Sequence, residues 1–191
     1  MLIDKINEIS DAIENHYLAV RHDLHAHPEL SYKEFRTSEK VQEELKRLGI
    51  PFELSPVKPG VIATIDSGKP GKLLLLRADM DALPIQECSG VPFSSENPGV
   101  MHACGHDAHT TNLLAVCEIL VRTKDQWNGR VKAVFQPAEE NGGGGREMIK
   151  AGLMEEKPDA CMGMHVGGRA EREGTPPNSR HPFKSHAVFC L

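Results

Sequence analysis

The run "KLLLLRAD", residues 72–79, sets four leucines in a row between Lys72 and Arg77 and ends on Asp79. A strand with one wet face alternates apolar and polar residues, whereas an unbroken apolar run of this length is the pattern of a strand covered on both faces. That pattern calls for helices above and below a sheet, and it predicts this strand at the sheet centre. The fold class expected is therefore α/β.

The rest of the chain supplies the layers. Ile6, Ile9, Ile13, Tyr17, Val20 and Leu24 recur at intervals of three and four, one face of a helix that ends near Pro28. Ser31 and Glu34 have the spacing of a capping box ahead of a second helix that carries Phe35, Val41, Leu45 and Leu48 and stops at Gly49. "GVIATID", "GRVKAVFQ" and "DACMGMHV" read as further strands, with a helix from about Asp107 to Arg122, "NGGGG" as a loop and "REMIKAG" as a short helix. Crossovers of this length suit parallel strands. Between Met80 and Gly105 lies a long segment rich in Pro, Ser and Gly, and loops of that length tend to be functional.

Ligand-type residues gather at one end of that framework. Asp79 and Asp81 follow the leucine strand, Glu139 and Glu140 follow "VKAVFQ", and His165 closes "ACMGM". These are carboxyl ends of strands, where open α/β sheets bind ligands. Cys104 and His106 flank Gly105 just before a helix, and the glycine allows both side chains to turn into one cleft. Each group also has an ordinary reading: a small core cysteine, a packed histidine, a solvated acidic pair, an aspartate capping a turn. Their convergence favours a metal site. A thiolate, imidazoles and carboxylates suit zinc, manganese, cobalt or nickel, in a catalytic site with an open position rather than a closed structural one. In "PAEE", Glu140 can bind metal while Glu139, left free, moves a proton.

Composition removes other classes. A net charge of −5 over 191 residues, without a basic stripe, favours neither nucleic acid nor an anionic membrane as partner. Five cysteines, odd in number and without a C-x-x-C pair, argue against a disulfide framework and for a reducing compartment. The N-terminus carries acidic residues from Asp4 onward and no long apolar stretch, so a cytoplasmic location is expected.

"RHDLHAHPELSYKE", "LLLLRADMDALPIQE", "MHACGHDAHT", "FQPAEENGGGGREMIKAG" and "GMHV" occur in the order found in the amidohydrolase branch of the M20 metallopeptidases, which this chain resembles from about residue 20 to 166. The branch includes aminoacylase-like enzymes, hippurate hydrolases, N-acetyldiaminopimelate deacetylases and auxin-conjugate hydrolases. The resemblance implies a phosphorylase/hydrolase-like open mixed sheet with helices on both faces, and two divalent metal ions (Mn, Zn, Ni or Co). It implies hydrolysis of small N-acyl amino acids by a metal-activated water. Carried over by position, Cys104, His106, Glu140 and His165 are metal ligands, Glu139 is the general base, and Asp79 is an acidic support that orients the centre. His102 and His109 are expected behind the ligands or in structural roles.

Family members continue through an inserted lid domain that mediates dimerisation, so full-length relatives are expected as homo-oligomers, and this chain is expected to lack that domain. Residues 1–166 then form a partial catalytic domain, and residues 167–191, beginning "GGRAEREGTPP", are expected as an irregular, disordered or frame-shifted tail. His181 and His186 carry no motif of the family. Three readings follow: an N-acyl amino acid amidohydrolase, a catalytically inactive metal-binding fragment of one, and a small interaction or redox module using Cys104 as a thiol.

Overall fold

The computed structural model describes residues 1–168 and 183–190. Its elements are α1 (Leu2–Ala26), α2 (Phe35–Arg47), β1 (Phe52–Leu54), β2 (Val61–Asp66), β3 (Leu73–Asp79), α3 (His106–Arg122), a 3-10 turn (Lys124–Gln126), β4 (Arg130–Gln136), α4 (Glu139–Gly142), α5 (Gly144–Lys150), β5 (Ala160–Gly168) and β6 (Phe183–Cys190). The sheet order is β1-β2-β4-β3-β5-β6. β3 is parallel to both β4 and β5, while β1, β2 and β6 join antiparallel, so the sheet is mixed and open.

One face is covered by three helices. Ile9, Ile13, Tyr17, Val20 and Leu24 of α1, Val41 and Leu45 of α2, and Leu113, Leu114 and Cys117 of α3 close over Val61, Ala63, Val131, Ala133 and Phe135. The other face has a smaller cluster, Ile62, Leu75, Val134 and Met148, under α5. Helices thus flank both faces. β3 sits inside the sheet as its apolar run predicts, but β4 is the more enclosed strand, with every residue after Arg130 buried. Leu74 and Leu76 are only half-buried. Among the described residues no helix is long and apolar enough to cross a membrane.

Three local expectations are corrected. Ser31 and Glu34 do not form a capping box, since α2 starts at Glu34 with no side-chain cap of its own. The Glu29 carboxylate instead accepts the Arg36 and Thr37 N–H groups at 3.1 and 2.8 Å, leaving Ser31 and Glu34 to bind elsewhere. The "NGGGG" loop is a short helical turn, α4, followed directly by α5. Within the segment expected as an irregular tail, Gly167 and Gly168 extend β5, and Phe183–Cys190 forms β6, paired from Cys161↔Cys190 to Gly168↔Phe183. Residues 169–182 and 191, His181 among them, lie outside the described residues.

Candidate metal centre

Three parallel strands run side by side, and β3 and β4 end at one level while β5 continues past it. Asp79 pairs with Gln136, and Arg77 with Gly163, so the residues just beyond Gln136 and the His165 position arrive beside Asp79. α3 adds its N-terminus from the side. Gly105, its cap, has φ +88, a conformation few side chains tolerate, and a Cβ there would stand 3.4 Å from Val166. That turn brings Cys104 and His106 to the same cleft.

The six residues singled out from the sequence meet in overlapping groups. The donor atoms of Cys104, His106 and His165 lie within 4.8 Å of one another, and the same limit holds for His106, Glu139 and Glu140 and for Asp79, His106 and His109. His106 is common to all three groups. Cys104 Sγ stands 3.2 Å from His165 Nε2. His106 Nε2 stands 3.6 Å from Asp79 Oδ1 and 3.8 Å from Glu140 Oε1. Ligands at about 2.1 Å in a tetrahedral shell are about 3.4 Å apart, close to these spacings. His106 Nε2 and Glu140 Oε1 are also buried without any hydrogen-bond partner, a costly state that a cation between them would relieve. The mixed S, N and O donors fit divalent transition-metal ions.

Charge in the centre is arranged to the same end. Burial, reinforced by the hydrogen bond and charge of Glu140, pushes the Cys104 thiol up to about 12, so a cation is what would release its proton. Burial opposes charge on His106, yet Asp81, Asp79 and Glu140 together raise its affinity for a proton. Burial also works against charge on Asp81, but the neighbouring His106 imidazole, the Ser31 hydroxyl and two backbone N–H groups outweigh it and hold that carboxyl down to about 2.

Asp81 is the residue whose part the sequence reading missed. It accepts the Ser31 hydroxyl at 2.6 Å and the N–H groups of Glu139 and Glu140 at 3.0 Å each, and His106 Nδ1 lies 3.2 Å away without hydrogen-bond alignment. Its available signal is spacing: Asp79 and Asp81 alternate at the end of one strand. Asp79 faces other partners, the Arg77 guanidinium at 2.7 Å and His109 Nδ1 at 2.5 Å. His109 Nε2 accepts the Val166 N–H at 2.8 Å, so both ring nitrogens are engaged, and His109 supports the strand that carries His165. His102 is buried behind the start of α3, where desolvation pushes it down to about 4 and keeps it neutral.

The long segment after β3 is fastened to α1. His25 bridges Asp107 Oδ2 at 2.9 Å and Glu87 Oε1 at 3.1 Å, Arg21 adds a bond to Asp107, and Phe93 stacks on His22. Asp107 thus points away from the cleft and pins α3 while His106 points in. A cleft of about 490 Å³ opens beside the centre, lined by apolar residues of β3, β4, α5 and β5 and by Arg77, Gln136 and His165.

Residues 75–178 match the family model described as peptidase family M20/M25/M40. The chain is 46% identical over 168 residues to thermostable carboxypeptidase 2 of Saccharolobus solfataricus, covering 86% of this chain and 42% of that protein. It is 44% identical over 174 residues to the N-acyl-L-amino acid amidohydrolase of Geobacillus stearothermophilus, covering 90% and 46%. A crystal structure of the Bacillus subtilis YXEP protein, described as a dinuclear metal-binding peptidase of the M20 family, superposes with a TM-score of 0.73 at 41% identity, over 75% of this chain and 41% of that one. The chain spans less than half the length of each.

Proposed function

Because the chain belongs to peptidase family M20/M25/M40, we propose that it forms the metal-binding part of a hydrolase that cleaves the amide bond of small N-acyl amino acids. One observation carries the reading: Cys104, His106, Glu139, Glu140 and His165, drawn from the start of α3, the turn after β4 and strand β5, bring donor atoms together around the buried His106 in an electron-rich cleft. A carboxypeptidase and an N-acyl amino acid amidohydrolase are both similar to this chain, and they share one bond type. Each cleaves an amide whose departing amine is an amino acid with a free carboxylate.

Cys104, His106, Glu140 and His165 would hold two divalent ions. When bound, such ions polarise a carbonyl oxygen and make water a better nucleophile at neutral pH. The remaining work falls to the chain. Asp81 fixes the turn that presents both glutamates, and Asp79 orients His109 and through it Val166, next to His165. A Glu139 carboxylate oxygen takes the proton of the water that attacks the amide carbon, then delivers it to the nitrogen as the C–N bond breaks. The products are a carboxylic acid and a free amino acid. Such proton transfer contributes about 10²–10⁴ in rate.

A second reading, metal binding without turnover, is favoured by the exposure of Glu139 and His165 to water. Hydrolysis of N-acetyl amino acids separates the two. The test of the shared premise is elemental analysis after dialysis: the parent chain should retain divalent metal, and Cys104→Ala with His106→Ala should abolish it. Equal metal in both would sink the assignment.

A further inference from the structure

The segment between α1 and α2, from "PELSYKE", has no part in the chemistry above, yet it reaches the metal centre at several points. It is anchored from behind: Glu29 caps α2, its carbonyl accepts the Ala82 N–H at 2.8 Å, and Leu30 bridges to Ala82 in parallel. Ser31 Oγ donates to Asp81 Oδ2 at 2.6 Å. Tyr32, itself left-handed at φ +63, donates its hydroxyl to the Gly142 carbonyl at 2.7 Å. Glu34 is fully buried, and its Oε1 accepts the Ala138 N–H at 2.7 Å.

Ala138 is the residue on which the glutamate turn depends. Its φ of +52 is unfavourable for a residue with a Cβ, and it reverses the chain directly after β4 so that the next two N–H groups face Asp81. The same turn brings Glu140 Oε1 to 3.8 Å from His106. A conformation of this kind persists only where its surroundings over-determine it. Burying a carboxyl is itself expensive, and α2 makes no use of Glu34 as a cap.

We propose that Ser31, Tyr32 and Glu34 are a positioning clasp for the Glu139–Glu140 turn, and so for the carboxylate half of the metal centre, while the Cys104–His165 half is held by other elements. The inference rests on the metal-centre reading for its consequence, not for its geometry. Ligand supports of this type typically alter metal affinity by about 10–100-fold.

The test is a cobalt(II) titration of the full chain. Near-ultraviolet thiolate-to-cobalt absorption reports the Cys104 half, and equilibrium dialysis counts the second equivalent. Glu34→Ala should weaken the second equivalent about tenfold or more and leave the thiolate band and its midpoint unchanged. Glu34→Gln keeps an oxygen for the Ala138 N–H and should restore the second equivalent to near the parent value. Should Glu34→Ala not fold, Tyr32→Phe removes one half-exposed hydroxyl and should weaken the second equivalent about threefold. Parallel weakening of both equivalents, or no change in either, overturns the clasp. A parent chain without cobalt bands overturns the metal-centre reading instead. Amide exchange then decides the clasp: Glu139 and Glu140 should exchange faster in Glu34→Ala with α1 and α3 unchanged, and unchanged exchange at both glutamates overturns it.

Discussion

Asp81 Oδ2 accepts the backbone N–H of Glu140 at 3.0 Å, joining the end of β3 to the turn after β4. Its other oxygen serves Glu139 in the same way and lies 3.2 Å from His106 Nδ1. One carboxylate therefore sets the positions of a glutamate pair and of a histidine that come from elements far apart in sequence.

Asp81→Asn should consequently cost metal although it preserves size. An amide has one acceptor oxygen, and its NH₂ group would face an N–H donor of the glutamate turn. Metal affinity should fall by about 10–100-fold, as for other ligand supports. Competition with a chromophoric chelator measures it, and affinity equal to the parent would deny Asp81 this part.

The two glutamates should separate by role. Glu139→Gln keeps the side chain's size but takes no proton, so metal content should hold while any amide turnover falls by about 10²–10⁴. Glu140→Gln should lose metal. Elemental analysis beside an N-acetyl amino acid assay tests both, and the reverse pattern would exchange the two assignments.

Much of this was legible in the sequence because it is written locally. The leucine run of β3, the 3–4 spacing in α1 and the placement of Glu140 after β4 all follow from period and position, while Asp79 is the last residue of β3 and His165 lies within β5 rather than after it. Asp81, Ser31 and Glu34 were not legible in the same way. Ser31 bonds a residue 50 positions away and Glu34 one 104 positions away, and contacts that distant leave no local signature. The Ser31–Glu34 spacing even mimics a capping box, a local pattern that tertiary partners displaced. The turn at Glu139 was hidden similarly, since glycines that read as a loop are needed there for close packing.

Gly144 makes that packing testable. A Cβ built on it would lie 1.8 Å from the Pro137 carbonyl oxygen, a contact with backbone that nothing flexible can relieve. Gly144→Ala should therefore shift the turn that carries Glu139 and Glu140. Metal affinity should fall by about tenfold or more, as for a displaced ligand support, while the core under α1 and α3 keeps its near-ultraviolet circular dichroism. Metal binding equal to the parent would show that the turn yields without moving its glutamates.

A charge cluster remote from the centre contributes to acid stability. Glu118, buried on α3, accepts bonds from Arg47 Nη2 at 2.7 Å and from the Tyr17 hydroxyl at 2.9 Å, and it pairs with Arg122. Burial opposes its charge, but these bonds outweigh burial and hold its carboxyl below the usual range. A depressed folded value means that the stabilisation is complete above the unfolded glutamate pKa of about 4.3 and fades as pH falls through the lower folded value. Glu118→Gln should thus flatten the acid limb of the stability curve below about pH 4. It should also lower stability near neutrality by about 1 kcal/mol, because the half-exposed Arg47 loses one charge-assisted bond and keeps Glu44. Urea titrations from pH 2 to 7 read both effects, and parallel curves for parent and variant would remove Glu118 from the account.

Turnover by the 191-residue chain itself should be slow. Glu139 and His165 are exposed, and the cleft beside them is open, so a substrate there would be held among mobile waters. Electrostatic stabilisation of a developing oxyanion is strong in a dry, preorganised site and weak in a wet one. Arg77, which lines the cleft, is already committed to Asp79 at 2.7 Å and to Gln136 at 2.8 Å. Losing a preorganised donor costs about 10²–10³ in turnover. The chain should therefore bind metal yet hydrolyse N-acetyl-methionine or hippurate far more slowly than about one per second, in the presence of added manganese or zinc. Steady-state assays at saturating substrate decide the point, and turnover at or above that rate would show that the open cleft already holds the substrate as tightly as the chemistry requires.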